Sequence, residues 1–238
     1  MSDTTEPSPQ PSAGPTRSTD AAEAYVTDRY RLWRGVDVNF SYKQKKAARI
    51  ARLIDESGGS ERVALEIGVG PAGIAVALSR CGMKIIGLDI SPDALDRARA
   101  HARSEDVALI RASGFKLPFK SGSLSLVYAS QVLHLFESPQ RLALLQDIHR
   151  VLRPGGRLLF DMKNAWSHLF KYIGTTPDRR RRNYPSRAEV LELLRQAGFV
   201  SVRTAAGVLP GVGPVTVPDV PLFRQLAHTT FYIGRRAP

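Results

Sequence analysis

The chain has 238 residues and an ordinary hydrophobic content of 43%, enough for one sizeable core with an appendage. Its formal charge of +12 is uneven: residues 1–20 hold three carboxylates and one arginine, a net −2, which leaves +14 on the remainder. Cys81 is the lone cysteine, which excludes an intrachain disulfide and a cysteine-based metal cluster. The basic body fits either an anionic partner (a phosphorylated substrate, an acidic lipid surface or RNA) or a solvated arginine-rich surface.

Residues 1–19 are mostly Ser, Thr, Pro, Gly and Ala without an aromatic side chain. They cannot bury enough apolar surface to offset ordering entropy, so they read as a disordered tail. No basic n-region and apolar h-region opens the chain, and residues 67–79 are too short and glycine-interrupted to span a bilayer, so the expectation is a cytoplasmic protein. Residues 20–60 read as an N-terminal helical cap. One helix starts near Asp20 and carries Tyr25, Tyr30 and Trp33, an aromatic lid or simple packing. A second spans 42–56, with Ala47, Ile50, Ala51, Leu53 and Ile54 inward. Lys43, Lys45, Lys46, Arg49 and Arg52 read as a solvated outer face.

From residue 61 to 238 strands and helices alternate, the pattern of a parallel sheet covered on both faces. Strands are expected at 63–67, 84–88, 107–111, 124–129 and 157–162. Ser91-Pro92 and Ser138-Pro139 each place a serine cap before a helical proline. Ser186-Arg187-Ala188-Glu189 is a capping box. Phe199–Thr204 and Thr230–Gly234 read as late strands, and Gly207–Pro221 as a long loop between them. Cys81 ends a helical pattern, where a packed or partly buried thiol is expected.

The organising stretch is Glu66-Ile67-Gly68-Val69-Gly70-Pro71-Ala72-Gly73, where an apolar strand stops at three glycines spaced G-x-G-x-x-G and a helix follows. Glycine serves where φ must be positive or a ligand approaches the backbone. Nineteen residues after Gly70 a second strand ends in Asp89, about where an acid reaches ribose hydroxyls. Strand, glycine turn, helix, strand and acid together describe a nucleoside-binding half-fold.

With these residues in place, the sequence resembles a class I S-adenosylmethionine-dependent methyltransferase over residues 61–204. Glu66-x-Gly68-x-Gly70 matches the family's first motif, and Gly87-Leu88-Asp89-Ile90-Ser91 its ribose segment. Leu117-Pro118-Phe119, Leu124–Val127 leading to Leu133-His134, Arg153-Pro154-Gly155-Gly156 and Ala197-Gly198-Phe199 follow in family order. A dehydrogenase shares the glycines and Asp89 but not Glu66 or the later blocks. The resemblance implies a Rossmann-like seven-stranded, mostly parallel sheet, order 3-2-1-4-5-7-6, with the last strand antiparallel and helices on both faces. It implies S-adenosyl-L-methionine as cofactor, S-adenosyl-L-homocysteine as product and no metal. Glu66, Gly68 and Gly70 would line the methionine end and ribose, Asp89 would accept from both ribose hydroxyls, and Ile90 would pack on adenine. Ser113, Gly114 and Ser130 would complete the cofactor wall. Many relatives have an acid where Ser113 stands. A serine still accepts the adenine amino group without charge assistance, or the contact passes to the backbone.

Methyl transfer needs alignment of acceptor and methyl group, and a base only where the acceptor loses a proton. His134, after the fourth strand, and Asp161, closing the fifth, are the candidate bases. His168 and Tyr172 follow, more simply read as packing. The basic run Arg179–Arg182 is a phosphate or carboxylate clamp or an exposed loop. No Asn/Asp-Pro-Pro-aromatic tetrad or cysteine follows the fourth strand. A small-molecule or lipid-linked biosynthetic acceptor, anionic or neutral, is therefore expected. RNA modification and a catalytically silent cofactor-binding homologue are the alternatives.

Overall fold

A computed structural model describes residues 20, 21, 23, 24, 27, 28, 40–58, 62–103, 105–163, 184–209, 213, 214 and 229–238. The first six are helical, and Thr27 Oγ1 donates to the Glu23 carbonyl at 3.0 Å. Tyr25, Tyr30, Trp33, His168, Tyr172 and Arg179–Arg182 lie outside the described residues.

Helix α1 (Phe40–Glu56) precedes strand β1 (Val63–Ile67), α2 (Gly73–Ser79), β2 (Lys84–Asp89), α3 (Pro92–His101), β3 (Val107–Arg111) and β4 (Leu124–Ser130). A 3-10 turn (Leu133–Leu135), α4 (Ser138–Val151), β5 (Leu152–Lys163), α5 (Arg187–Gln196), β6 (Phe199–Leu209), β7 (Gly213–Pro214) and β8 (Thr229–Arg236) follow. The sheet order is β3-β2-β1-β4-β5-β8-β6-β7. Setting aside the two-residue β7, this is the expected 3-2-1-4-5-7-6 order. Strands β1 to β5 pair in parallel and β8 runs antiparallel between β5 and β6.

Alternation along the strands sorts the core into two layers. Leu65, Ile67, Val127, Ala129, Leu158 and Phe160 face α4 and α5, packing against Leu145, Ile148 and Leu194. Ala64, Leu126, Tyr128 and Leu159 face the other way, towards Ala47 and Ile50 of α1 and Leu78 of α2. Glu66 shares parity with Ala64, Ser130 with Tyr128, and Asp161 with Leu159. All three therefore belong to the α1 face.

Caps follow the sequence with one adjustment. Ser91 Oγ accepts from Ala94 N at 3.3 Å, and the Ser186–Glu189 box closes at 3.2 and 2.6 Å. For α4 the cap is Glu137 rather than Ser138, because Gln140 Oε1 can accept from Glu137 N at 3.0 Å and complete a capping box. Strand β5 starts at Leu152, not 157: Pro154-Gly155-Gly156 bulges inside the strand, and the β4–β5 register shifts there. Arg236 of β8 donates to the carbonyls of His149, Arg150 and Leu152 and so closes the α4 C-terminus.

Two further expectations change. Strand β6 continues through Leu209 and pairs with β7, so 207–209 and 213–214 are ladder and not loop, because β8 and β7 take up their backbone groups. Cys81 is exposed, because α2 ends at Ser79 and the following turn carries it off the core. Among the described residues no helix is long and apolar enough to cross a membrane.

Candidate functional site

The carboxyl ends of β1, β2 and β4 open on a cavity of about 310 Å³, within the range of small-molecule sites. Gly68, with φ +69°, turns the chain out of β1; a Cβ there would lie 2.4 Å from Val132 Cγ2. Only glycine fits both the backbone and the gap. Its amide donates to the Leu88 carbonyl at 2.7 Å, locking the turn to β2.

Asp89 ends β2. Its Oδ2 accepts from Gly70 N at 2.9 Å and its Oδ1 from Ser91 N at 3.0 Å. The carboxylate is buried, and that burial pushes its pKa up while the backbone donors from Ser91 and Gly70 pull it back. It thus ties the glycine turn to the start of α3 besides facing the cavity. About four lone-pair sites on a carboxylate leave two for a ligand. Ile90 and Gly114 line the same cavity with Leu88, Ala112 and Phe115. Ser113 Oγ accepts from Phe115 N at 3.0 Å and donates to the carboxylate of Glu23.

Beneath the glycine turn is a buried charge cluster. Glu66 is 2% exposed; burial lifts its pKa to about 8 even though Lys46 and Lys43 pull it down. Among the described residues its Oε2 meets no hydrogen-bond partner. Lys46 Nζ donates to Ser130 Oγ at 2.6 Å and to Asp161 Oδ2 at 3.0 Å, with Lys46 4% and Asp161 0% exposed. Gln131, held at φ +56°, also donates to Asp161 Oδ2. Lys43 lies along the Gly73 backbone, where a Cβ would meet its Cδ at 2.4 Å. Burial pushes the Lys43 pKa down, opposed by Glu66.

Lys46 and Lys43 therefore do not belong to a solvated face. In a helix, positions 43, 46, 47, 50, 53 and 54 share one side, so both lysines sit in line with Ala47, Ile50, Leu53 and Ile54. That spacing was the available signal, and lysine chemistry masked it. Glu23 and Gln131 carry no local signal: Glu23 is a lone carboxylate in the N-terminal helical segment, and Gln131 follows β4 without a motif. Asp89, although it ends its strand, is buried, because the glycine turn folds over it.

His134 sits in the 3-10 turn, buried, lining the cavity with Leu135 and Phe136. Its ring centroid is 6.3 Å from that of Tyr184. The fully buried Arg141 donates to the Leu133 carbonyl at 3.1 Å and anchors the turn; burial pushes its pKa down to about 10. His134 and Asp161 thus lie in different surroundings, one on the cavity wall, the other in an ion pair.

The site fits the cofactor that the motifs imply. On the cavity wall the Gly68 turn leaves the backbone open to close approach, and Asp89, with lone-pair sites to spare, suits a pair of ribose hydroxyls.

Known proteins agree with this fold. A family described as "Methyltransferase domain" matches residues 65–160. An uncharacterized methyltransferase of Synechocystis sp. is 30% identical over 145 residues, 58% of this chain and 67% of its own length. The demethylmenaquinone methyltransferase of Lactococcus lactis is 30% identical over 160 residues, 56% of this chain and 59% of that protein. The crystal structure of an S-adenosylmethionine-dependent methyltransferase from Thermotoga maritima superposes with a TM-score of 0.66 at 19% identity, covering 90% of this chain and 97% of that one. The chain belongs to the class I S-adenosylmethionine-dependent methyltransferases.

Proposed function

We propose that the chain methylates a small-molecule or lipid-linked biosynthetic acceptor. In this reading Gly68, Asp89, Ile90, Gly114 and Ser130 form the cofactor's share of the cavity wall, while Glu66, Gly70 and Ser113 are not in the wall itself and act next to it. The observation that carries it is continuity. One cavity joins Gly68, Asp89 and Ile90 to Gln131, His134 and Lys163, and between them its wall is Val132, Leu135, Phe136 and Leu144. A short chamber with apolar walls and few polar groups suits a compact acceptor, whereas a nucleic-acid strand needs an open, charged groove.

S-adenosylmethionine supplies a methyl group on a sulfonium, transferred by in-line displacement. The chain's own share is orientation and exclusion of water, which can lower a barrier by about 7–11 kcal/mol. Asp89 and the Gly68–Gly70 turn hold the nucleoside end. Asp161 acts as the anchor of Lys46 and Gln131. His134 takes the proton where the acceptor must lose one, worth about 10²–10⁴-fold.

Incubation with methyl-labelled S-adenosylmethionine and separate metabolite, lipid and RNA fractions tests this. The expected result is label in a metabolite or lipid together with S-adenosylhomocysteine. Label confined to RNA, with affinity falling steeply in salt, would establish the RNA reading. Cofactor binding without turnover in any fraction would establish the silent one.

A further inference from the structure

The cavity lining contains two carboxylates, Asp89 and Glu23. Asp89 ends β2, while Glu23 reaches the cavity from the N-terminal helical segment, ninety residues before its partner Ser113. Ser113 follows β3, next to Ala112, whose amide donates to the Asp89 carbonyl at 3.1 Å. Glu23 therefore stands at the same end of the cavity as Ala112, Gly114 and Phe115, beyond the group that suits the ribose.

The hydrogen-bond inventory decides what this end can receive. A hydroxyl has one proton and two lone pairs. The Ser113 proton goes to Glu23 and one lone pair takes Phe115 N, so the serine has little left for a ligand. A carboxylate accepts about four hydrogen bonds, and Ser113 fills one of them. A nucleobase seated here thus meets an anionic acceptor, which favours an edge bearing an amino group over one bearing a carbonyl.

We propose that Glu23 is the base-reading residue of the site: its carboxylate receives the exocyclic amino group of the cofactor's adenine, and Ser113 is the positioning residue that aims it. Adenine recognition and seating of the N-terminal helix against the cavity are then one interaction. The charge that position 113 lacks arrives from another element. This rests on the reading of the cavity as the S-adenosylmethionine site.

The test is calorimetric titration of the full chain with S-adenosylhomocysteine and with its 6-oxo analogue, S-inosylhomocysteine. The wild type should prefer the adenine compound by about 10- to 100-fold, as for a hydrogen bond to a charged group. Glu23→Gln should erase most of that preference, because an amide can turn its N–H₂ to a carbonyl edge. Ser113→Ala should reduce it in part. Ser113→Asp gives a sign that packing alone cannot produce. With Glu23 present it sets two carboxylates together and should weaken binding; with Glu23→Gln it should restore the preference. An unchanged preference in Glu23→Gln, or Ser113→Asp tightening binding equally in both backgrounds, would overturn the proposal. Failure of the folded wild type to bind S-adenosylhomocysteine would instead overturn the reading of the site, and the proposal with it.

Discussion

Replacing Lys46 by Met should be among the most damaging single changes in α1, and for an electrostatic reason. Lys46 Nζ and Asp161 Oδ2 are 3.0 Å apart and both side chains are nearly inaccessible. At an effective dielectric of about 20 such a pair interacts by about 5 kcal/mol. Most of this offsets desolvation when both partners are present; removal of one leaves a buried charge, which typically costs about 3–5 kcal/mol. Asp161 would keep Gln131 on Oδ2, while its Oδ1 meets no partner among the described residues. For a chain of this size each kcal/mol shifts Tm by about 2–4 °C, so Lys46→Met should lower Tm by about 6–20 °C. Asp161→Asn, which retains an acceptor for Gln131, should cost a similar amount by stranding Lys46. The double variant should return to within about 1 kcal/mol of wild type, because a neutral pair needs no compensation. Urea unfolding of all four proteins measures the coupling. A Lys46→Met cost below about 1 kcal/mol with no coupling would refute the buried pair.

Asp89→Ala should weaken S-adenosylhomocysteine binding by about 1.5–3 kcal/mol and also lower Tm, since the carboxylate joins Gly70 N to Ser91 N; calorimetry and melting on the same sample check both. Glu66, whose pKa rises from 4.5 to about 8, binds its proton more tightly folded than unfolded. Its contribution to stability is therefore fully present below about pH 4.5 and is lost progressively as pH rises to about 8, and Glu66→Gln should flatten that arm of a stability–pH profile. Gly68→Ala combines positive φ with a Cβ 2.4 Å from Val132, whereas Gly82→Ala has positive φ and open space. The first should cost about 2–4 kcal/mol and the second about 1 kcal/mol; equal costs in urea unfolding would mean that Val132 moves aside freely.

What the sequence determined by itself was local and periodic. Strand alternation, three glycines and an acid nineteen residues on name β1, β2 and their turn, because each depends on dihedral limits and spacing within about thirty residues. The Ser91 and Ser186 caps are of the same kind, resting on one side chain and an amide three residues away. Parity even assigns Glu66, Ser130 and Asp161 to one face of the sheet. Which helix covers that face is not a local property. The packing of α1 against α2 brings Lys46 over Ser130 and Asp161, 84 and 115 residues later in the chain. Glu23 reaches Ser113 across 90 residues, and Arg236 closes α4 across 84 to 87. A lysine or glutamate on a helix reads as solvated until its partner is known, because burying a charge is costly alone and tolerable only beside its counter-charge. The tertiary structure decided those pairings, and with them where the site's charges lie.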